Sequence, residues 1–218
     1  MACVTLTVRS QMPIYFQVVR GLSASKPGVM VLPIAAGLIV SVLSSGYLIT
    51  LLGYHNPFMI LTSLITPVAS GLMTTFDVDA ELWTLIVFQI LLGCGTGIGF
   101  QGPQVAVQAI LSEKDCQLGI SIIQFAQGMG PAVFIAAAQT IFQSRLVSNI
   151  NKFAEGTDMA ALTQQGLTVP AEHPGYRGIV QSYNNAITEA FYLPVGLACA
   201  SLVGALCIEW SSVKVKRK

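Results

Sequence analysis

Three glutamines stand in one uncharged stretch of the chain, and their amides are the polar groups best placed to contact a ligand. Gln101, Gln104 and Gln108 are spaced by three and four residues, which puts all three side chains on one face of a helix. An amide donates and accepts hydrogen bonds without carrying a charge. The spacing predicts a polar face that lines a substrate passage, with hydrogen bonding between helices as the alternative.

A second pair of glutamines repeats this pattern. Gln124 and Gln127 are three residues apart in the next apolar stretch. Unpaired amides are costly in hydrocarbon, so these side chains should face the protein interior or a water-filled cavity. Tyr15 and Gln17, farther upstream, are expected to offer an aromatic surface and another amide to the same passage.

Residues 97–102 read Gly-Ile-Gly-Phe-Gln-Gly and match the dinucleotide-binding pattern letter for letter. That motif requires a preceding strand and an acidic residue about 20 positions later, whereas this stretch lies inside a long uncharged run. The four-residue spacings Gly93/Gly97 and Gly95/Gly99 are instead typical of helices that pack closely in membranes. We interpret the four glycines as helix-packing residues.

The chemistry of an enzyme is not visible in the sequence. Its two histidines, His55 and His173, belong to no metalloprotease motif, and both are expected in ordinary surface positions. The GxSxG, GxxxxGK and CxxC patterns are absent, and the five cysteines follow no ligand spacing. We predict no enzymatic activity, no metal site and no cofactor.

The composition indicates which solvent surrounds these residues. Of 218 residues, 10% are charged and 53% are hydrophobic, whereas soluble domains carry about 25% charged residues. Such a chain has too little polar surface to cover itself in water, so a lipid bilayer is the expected partner. The net charge of +1 provides no basic field for nucleic acid.

Four uncharged windows have room for five membrane-spanning helices of about 20 residues each. Gly53 and Pro57 divide the first window, since Gly favours a helix end and Pro the first turn of the next helix. The predicted spans are residues 29–52, 58–76, 82–105, 118–142 and 190–210. Residues 29–144 thus hold four helices, and residues 190–210 form the last one.

The remaining segments are expected outside these spans. Residues 1–28 are interpreted as a truncated first helix, with its apolar part at residues 12–19, followed by an outer loop. Residues 145–189 form a polar extracytoplasmic loop, and the basic tail 211–218 indicates a cytoplasmic C-terminus. Glu189 and Glu209 flank the last span, so no carboxylate lies inside a span and this chain shows no proton carrier.

Several stretches, in order, resemble the C-terminal half of a major facilitator superfamily transporter, specifically the fungal fourteen-helix drug:proton antiporters of the multidrug and mycotoxin efflux type. They are residues 12–21 (MPIYFQVVRG), 25–28 (SKPG), 52–59 (LGYHNPFM), 89–93 (QILLG), 97–103 (GIGFQGP) and 183–186 (YNNA).

The resemblance implies an all-α bundle of five complete transmembrane helices plus the truncated first helix. It implies a fragment of a secondary transporter that exports small amphipathic organic molecules in exchange for protons, at the plasma membrane. An N-terminal portion of six to eight helices, which carries the family's proton-coupling carboxylates, would be missing. The alternative is a truncated membrane protein that does not transport and acts through helix–helix association.

Overall fold

The computed structural model describes residues 2–22, 26–153 and 175–206. Its helices are α1 (Ala2–Ile14, continued by a π-helical turn, Tyr15–Val19), α2 (Lys26–Met30), α3 (Leu32–Leu52), α4 (Asn56–Met73), α5 (Leu82–Ile98), α6 (Gly102–Ile110), α7 (Glu113–Phe153), α8 (Tyr176–Ala190) and α9 (Tyr192–Leu206).

Five helical stretches of the described residues are long and apolar enough to cross a membrane. They are Lys26–Leu52, Asn56–Met73, Leu82–Gln108, Lys114–Lys152 and Tyr176–Leu206. The prediction of an all-α membrane bundle with five crossing helices is confirmed. The turn after α3 follows the local signals, because Gly53 adopts a left-handed φ of 79° and donates its N–H to the Ile49 carbonyl at 2.8 Å.

Helix α1 packs against α7 and α9 and also contacts α2 and α5. The sequence indicated its apolar part only from residue 12, whereas the structure extends the helix back to Ala2. Val4, Val8 and Met12 explain the difference, since they recur every four residues and are completely or almost completely buried. The π-helical turn follows Pro13, whose ring disturbs the regular hydrogen bonding of a helix.

Two faces of α5 approach neighbouring helices at glycines. Gly97 lies against α3, where an added Cβ would be 2.6 Å from the Leu38 carbonyl oxygen, and Gly93 faces the same helix one turn earlier. Gly95 and Gly99 lie against α4, and a Cβ at Gly95 would be 2.9 Å from Cγ2 of Ile65. Each predicted glycine pair therefore sits at its own helix crossing.

The segment predicted as a loop, residues 145–189, is helical where it is described. Helix α7 continues to Phe153, and α8 begins at Tyr176; residues 154–174 lie outside the described residues. The cause is an amphipathic pattern in α8, whose buried Ile179, Tyr183 and Ile187 are spaced by four and pack with α7. Hydropathy alone missed this face because its outer side is polar.

This helical extension also corrects the position of Glu189. The sequence placed it at the start of the last span, but it lies well inside the candidate span Tyr176–Leu206. Its carboxylate Oε2 forms an ion pair with Nε of Arg145 on α7 at 3.1 Å, and both side chains are partly exposed. The pair connects α7 to α8, although partial exposure limits what it contributes to stability.

The bundle has two distinguishable ends. At the Ala2 end, the start of α1 meets Met59 of α4 and Gly204 of α9 around one cavity. At the Tyr15 end, the Tyr15 hydroxyl donates to the Asp77 carbonyl at 3.0 Å, and Asn184 of α8 donates to the Phe76 carbonyl at 3.2 Å.

Candidate functional site

A break between α5 and α6 is the main irregularity at the Ala2 end. Helix α5 ends at Ile98 and α6 begins at Gly102, with Gln101 as its N-cap residue. Pro103 explains the break, because its ring lacks an N–H and would clash with the carbonyl of residue 99 in a continuous helix. The connection is made of short turns, in which Phe100 N–H donates to the Gly97 carbonyl at 3.3 Å.

The break changes the predicted glutamine face. Gln101 precedes α6, while Gln104 and Gln108 lie within it, so the three do not share one continuous helix as the sequence suggested. The amide of Gln101 lies beside Gly46 of α3, with its Oε1 3.3 Å from the position of an added Cβ. Gln104 is half-buried and Gln108 is exposed.

Two cavities flank the break. The first, between α4 and α7, has a volume of about 470 Å³ and is lined by Thr62, Ser63, Gln127 and Phe100, among others. We call it the α4–α7 cavity. Its three hydroxyls, those of Thr62, Ser63 and Ser201, already donate to the carbonyls of Gly95, Met59 and Ala198. The Gln127 amide is therefore the side chain that can adapt its hydrogen bonds to a ligand.

The second cavity, between α1 and α3, has a volume of about 360 Å³ and is the more enclosed of the two. We call it the α1–α3 cavity. Ala2 and Phe100 line both cavities and form the wall between them. Non-helical backbone at membrane depth occurs where it is buried in protein or lines a cavity, and residues 99–101 fit this rule.

The other predicted passage residues lie apart from these cavities. Tyr15 is fully buried at the Tyr15 end, where its ring contacts Phe76 with a centroid distance of 5.6 Å. Gln17 is half-buried in the π-helical turn. Gln124 lines a separate exposed groove along α7. Of the predicted passage residues, Gln127 thus lines a cavity beside the break. The lining of the two cavities does not include the other six, which are Gln101, Gln104, Gln108, Gln124, Tyr15 and Gln17.

Arg20 joins α1 to the loop between α4 and α5. Its guanidinium donates to the Val78 carbonyl at 3.2 Å and to the Ala80 carbonyl. Together with the Tyr15 hydroxyl, these bonds fasten the Tyr15 end, which is filled by the rings of Phe76, Phe88 and Phe191.

Sequence reasoning missed several buried polar residues. Gln11 of α1 donates through Nε2 to Oε1 of Gln139 on α7 at 3.1 Å. Gln89 is completely buried, and neither of its amide atoms has a partner among the described residues. Neither Gln11 nor Gln89 has a second glutamine three or four residues away, and that repetition was what drew attention to the other glutamines.

His55 was expected at the surface, but it is completely buried in the turn between α3 and α4. Burial lowers the pKa of its imidazole below the ordinary 6.5, because the charged form loses its hydration. The side chain is therefore neutral at pH 7. Within the described part of the chain, no group of three His, Cys, Asp or Glu residues is arranged to hold a metal ion.

The chain is similar to fungal transport proteins. It is 38% identical over 211 residues to the efflux pump roqT of Penicillium rubens, which covers 94% of this chain and 39% of the pump. It is 37% identical over 206 residues to the MFS-type transporter astH of Aspergillus oryzae, covering 93% of this chain and 36% of that protein.

A third relative, the aspyridones efflux protein of Neocamarosporium betae, is 37% identical over 212 residues, which is 94% of this chain and 37% of the relative. No family model matches the chain. The chain spans well under half of the length of these curated relatives.

Proposed function

Because the chain belongs to the major facilitator superfamily, as its similarity to fungal transporters indicates, we propose that it is part of an efflux transporter. The cargo is a small amphipathic organic molecule, and the driving force is exchange for protons. The observation that carries this proposal is the break between α5 and α6, which is flanked by two cavities.

Amphipathic cargo suits the chemistry of these cavities. Their walls are mainly apolar, with a few polar side chains such as Gln127, Thr5 and Arg9. Ligand sites generally combine apolar walls with a small number of polar groups that fix orientation. Broken helices also form the substrate sites of many secondary transporters.

We place the remainder of the transporter, including its proton carrier, outside this chain. The relatives are more than twice as long as the stretch they share with it, which leaves room for a further portion of six to eight helices. Among the described acids, Asp77, Asp79 and Glu81 are exposed in the loop between α4 and α5, and Glu189 is paired with Arg145.

The proposal includes an orientation in the plasma membrane. The Ala2 end faces the cytoplasm and the Tyr15 end faces outward, with the segment that joins α7 to α8 outside. Impermeant maleimide should label Ser148→Cys but not Ser212→Cys in intact cells, in a background without native cysteines. Labelling of position 212 but not 148 would invert the orientation.

The transport proposal is tested in a transporter restored to full length. Uptake of a tracer substrate into inside-out vesicles, which corresponds to export from the cell, should require a pH gradient. Gln101→Leu and Gln104→Leu should reduce export or change the preference among substrates at normal membrane abundance, while Gln181→Leu, an exposed glutamine on α8, serves as the matched control. Export that is unchanged, or that falls only with abundance, would make both glutamines structural.

A second candidate function is helix–helix association without transport, and the exposed face of α7 favours it. Gly128, Ala132 and Ala136 line a groove of about 700 Å³ along this helix, and all three are exposed. Small residues spaced by four allow another helix to approach closely. Copurification with a membrane protein that is lost on Ala132→Trp, without transport by the restored protein, would support this alternative.

A further inference from the structure

The α1–α3 cavity has the size and walls of a small-molecule site. Its volume is about 360 Å³, and Leu6, Ile34, Leu38 and Phe100 provide apolar surface on several sides. Ligand pockets commonly measure about 300–1,000 Å³. A volume near the lower limit admits one compact ring system and is too small for a lipid with two acyl chains.

One hydroxyl in this cavity is left without a hydrogen-bond partner. Thr5 lines the cavity and is 4% exposed, and its Oγ1 has no partner among the described residues. Thr96, which lines the cavity from α5, instead donates to the Leu92 carbonyl at 2.7 Å. A buried polar group without a partner costs about 1–3 kcal/mol, which a ligand acceptor at Thr5 would offset.

Arg9 lines the same cavity one turn after Thr5, and its residue is exposed. Within the described residues its guanidinium makes neither an ion pair nor a hydrogen bond, in contrast to Arg20, which is bound by two carbonyls. No acidic residue precedes Asp77, and α5 also contains none. The helices around the cavity therefore supply a cation and no compensating carboxylate.

We propose that the α1–α3 cavity binds an organic anion with a compact apolar body, of the carboxylate class. The apolar walls hold the body, the Arg9 guanidinium pairs with the anionic group, and the Thr5 hydroxyl donates a hydrogen bond to it. This inference rests on the proposed function, which it deepens by assigning a negative charge to the cargo.

The test compares two probes that share one ring system. 1-Naphthoate carries a carboxylate, and 1-naphthamide is its neutral counterpart. Equilibrium binding of each is measured to the purified chain in phosphatidylcholine nanodiscs. We expect saturable binding, with the naphthoate held about tenfold more tightly, since a charge-assisted hydrogen bond exceeds a neutral one by about this factor.

Substitutions then assign the binding to this cavity. Arg9→Gln should reduce the naphthoate affinity about tenfold and leave naphthamide unchanged, and Arg9→Lys should keep most of the preference. Arg177→Gln, the same change at an exposed arginine on α8, should alter neither probe. Ala35→Trp should abolish the binding of both probes, because the indole would fill the cavity.

Several results would overturn the inference. Equal affinity for the two probes, or an equal loss of affinity for both in Arg9→Gln, would show that Arg9 does not recognise the anionic group. Naphthoate binding that survives Ala35→Trp would show that the probe binds outside this cavity. Failure of the proposed function is distinguishable from these results, because it would appear as absent export by the restored transporter while the isolated chain still selected naphthoate.

Discussion

The crossing of α3 and α5 at Gly97 provides a sharp test of the packing. We expect Gly97→Ala to destabilise the protein, although Ala is the better helix former. An alanine Cβ would be 2.6 Å from the Leu38 carbonyl oxygen and 2.8 Å from Cβ of Ser41. Ordinary contacts begin at 3.4 Å, so the two helices would have to separate locally by the difference between 3.4 and 2.6 Å, which is 0.8 Å.

The size of the effect follows from two opposing terms. Overpacking of this kind costs about 1–3 kcal/mol, whereas replacing Gly by Ala within a helix gains up to about 1 kcal/mol. Gly196 on α9 is the matched control, because it is exposed and an added Cβ there would meet nothing within 4 Å. The two alanine variants should therefore differ by about 1–3 kcal/mol in the free energy of unfolding.

The assay is reversible unfolding in mixed detergent micelles, followed by the loss of helical circular dichroism as the denaturing detergent is increased. Gly97→Ala should unfold at a lower fraction of denaturing detergent than the parent protein, and Gly196→Ala at the same fraction or a higher one. Equal shifts for both variants would refute the reasoning, because they would show that the α3–α5 crossing accepts a methyl group without strain.

Three further outcomes are expected. Arg20→Met should lower the free energy of unfolding by about 1–3 kcal/mol, because two carbonyls lose a charged donor; an Arg177→Met control of equal effect would contradict this role. The free energy of unfolding should decline as the pH falls through 6.5, because burial lowers the pKa of His55 and the unfolded chain takes up the proton first. His55→Gln should flatten this decline, and a variant with the same pH profile as the parent protein would exclude His55 as its cause. A double-mutant cycle on Arg145 and Glu189 should give a coupling of about 0.2–1 kcal/mol, because both side chains are partly exposed, and a coupling several times larger would show that the pair is shielded from solvent.

Local signals in the sequence were sufficient for the turn that separates α3 from α4. Gly53 and Pro57 marked the turn after α3 because a left-handed glycine and a proline in the first helical turn act within one or two residues. Windows without charged residues identified the five crossing helices. The hydrocarbon core of a membrane disfavours charged side chains in any helix that crosses it, whichever neighbours that helix packs against.

The same signals failed where packing outweighed local composition. Helix α8 is too polar for a hydropathy criterion, and it is helical because one face is buried against α7. The opposite error occurred at residues 99–101, where the apolar run suggested one continuous helix. Proline within a membrane helix is tolerated in many contexts, so the sequence could not decide between a kink and the full break that is present.

The sequence by itself determined the solvent, the number of crossing helices and the types of polar residue available, because these depend on composition and on spacing along one helix. Only the tertiary structure decided which polar groups meet. It placed Gln127 but not Gln101 in the lining of a cavity, buried His55, and placed Thr5, Arg9 and Phe100 around cavities formed by helices distant in the sequence. A cavity is the space left between several helices, and the periodicity of one helix carries no information about the depth or rotation of its neighbours.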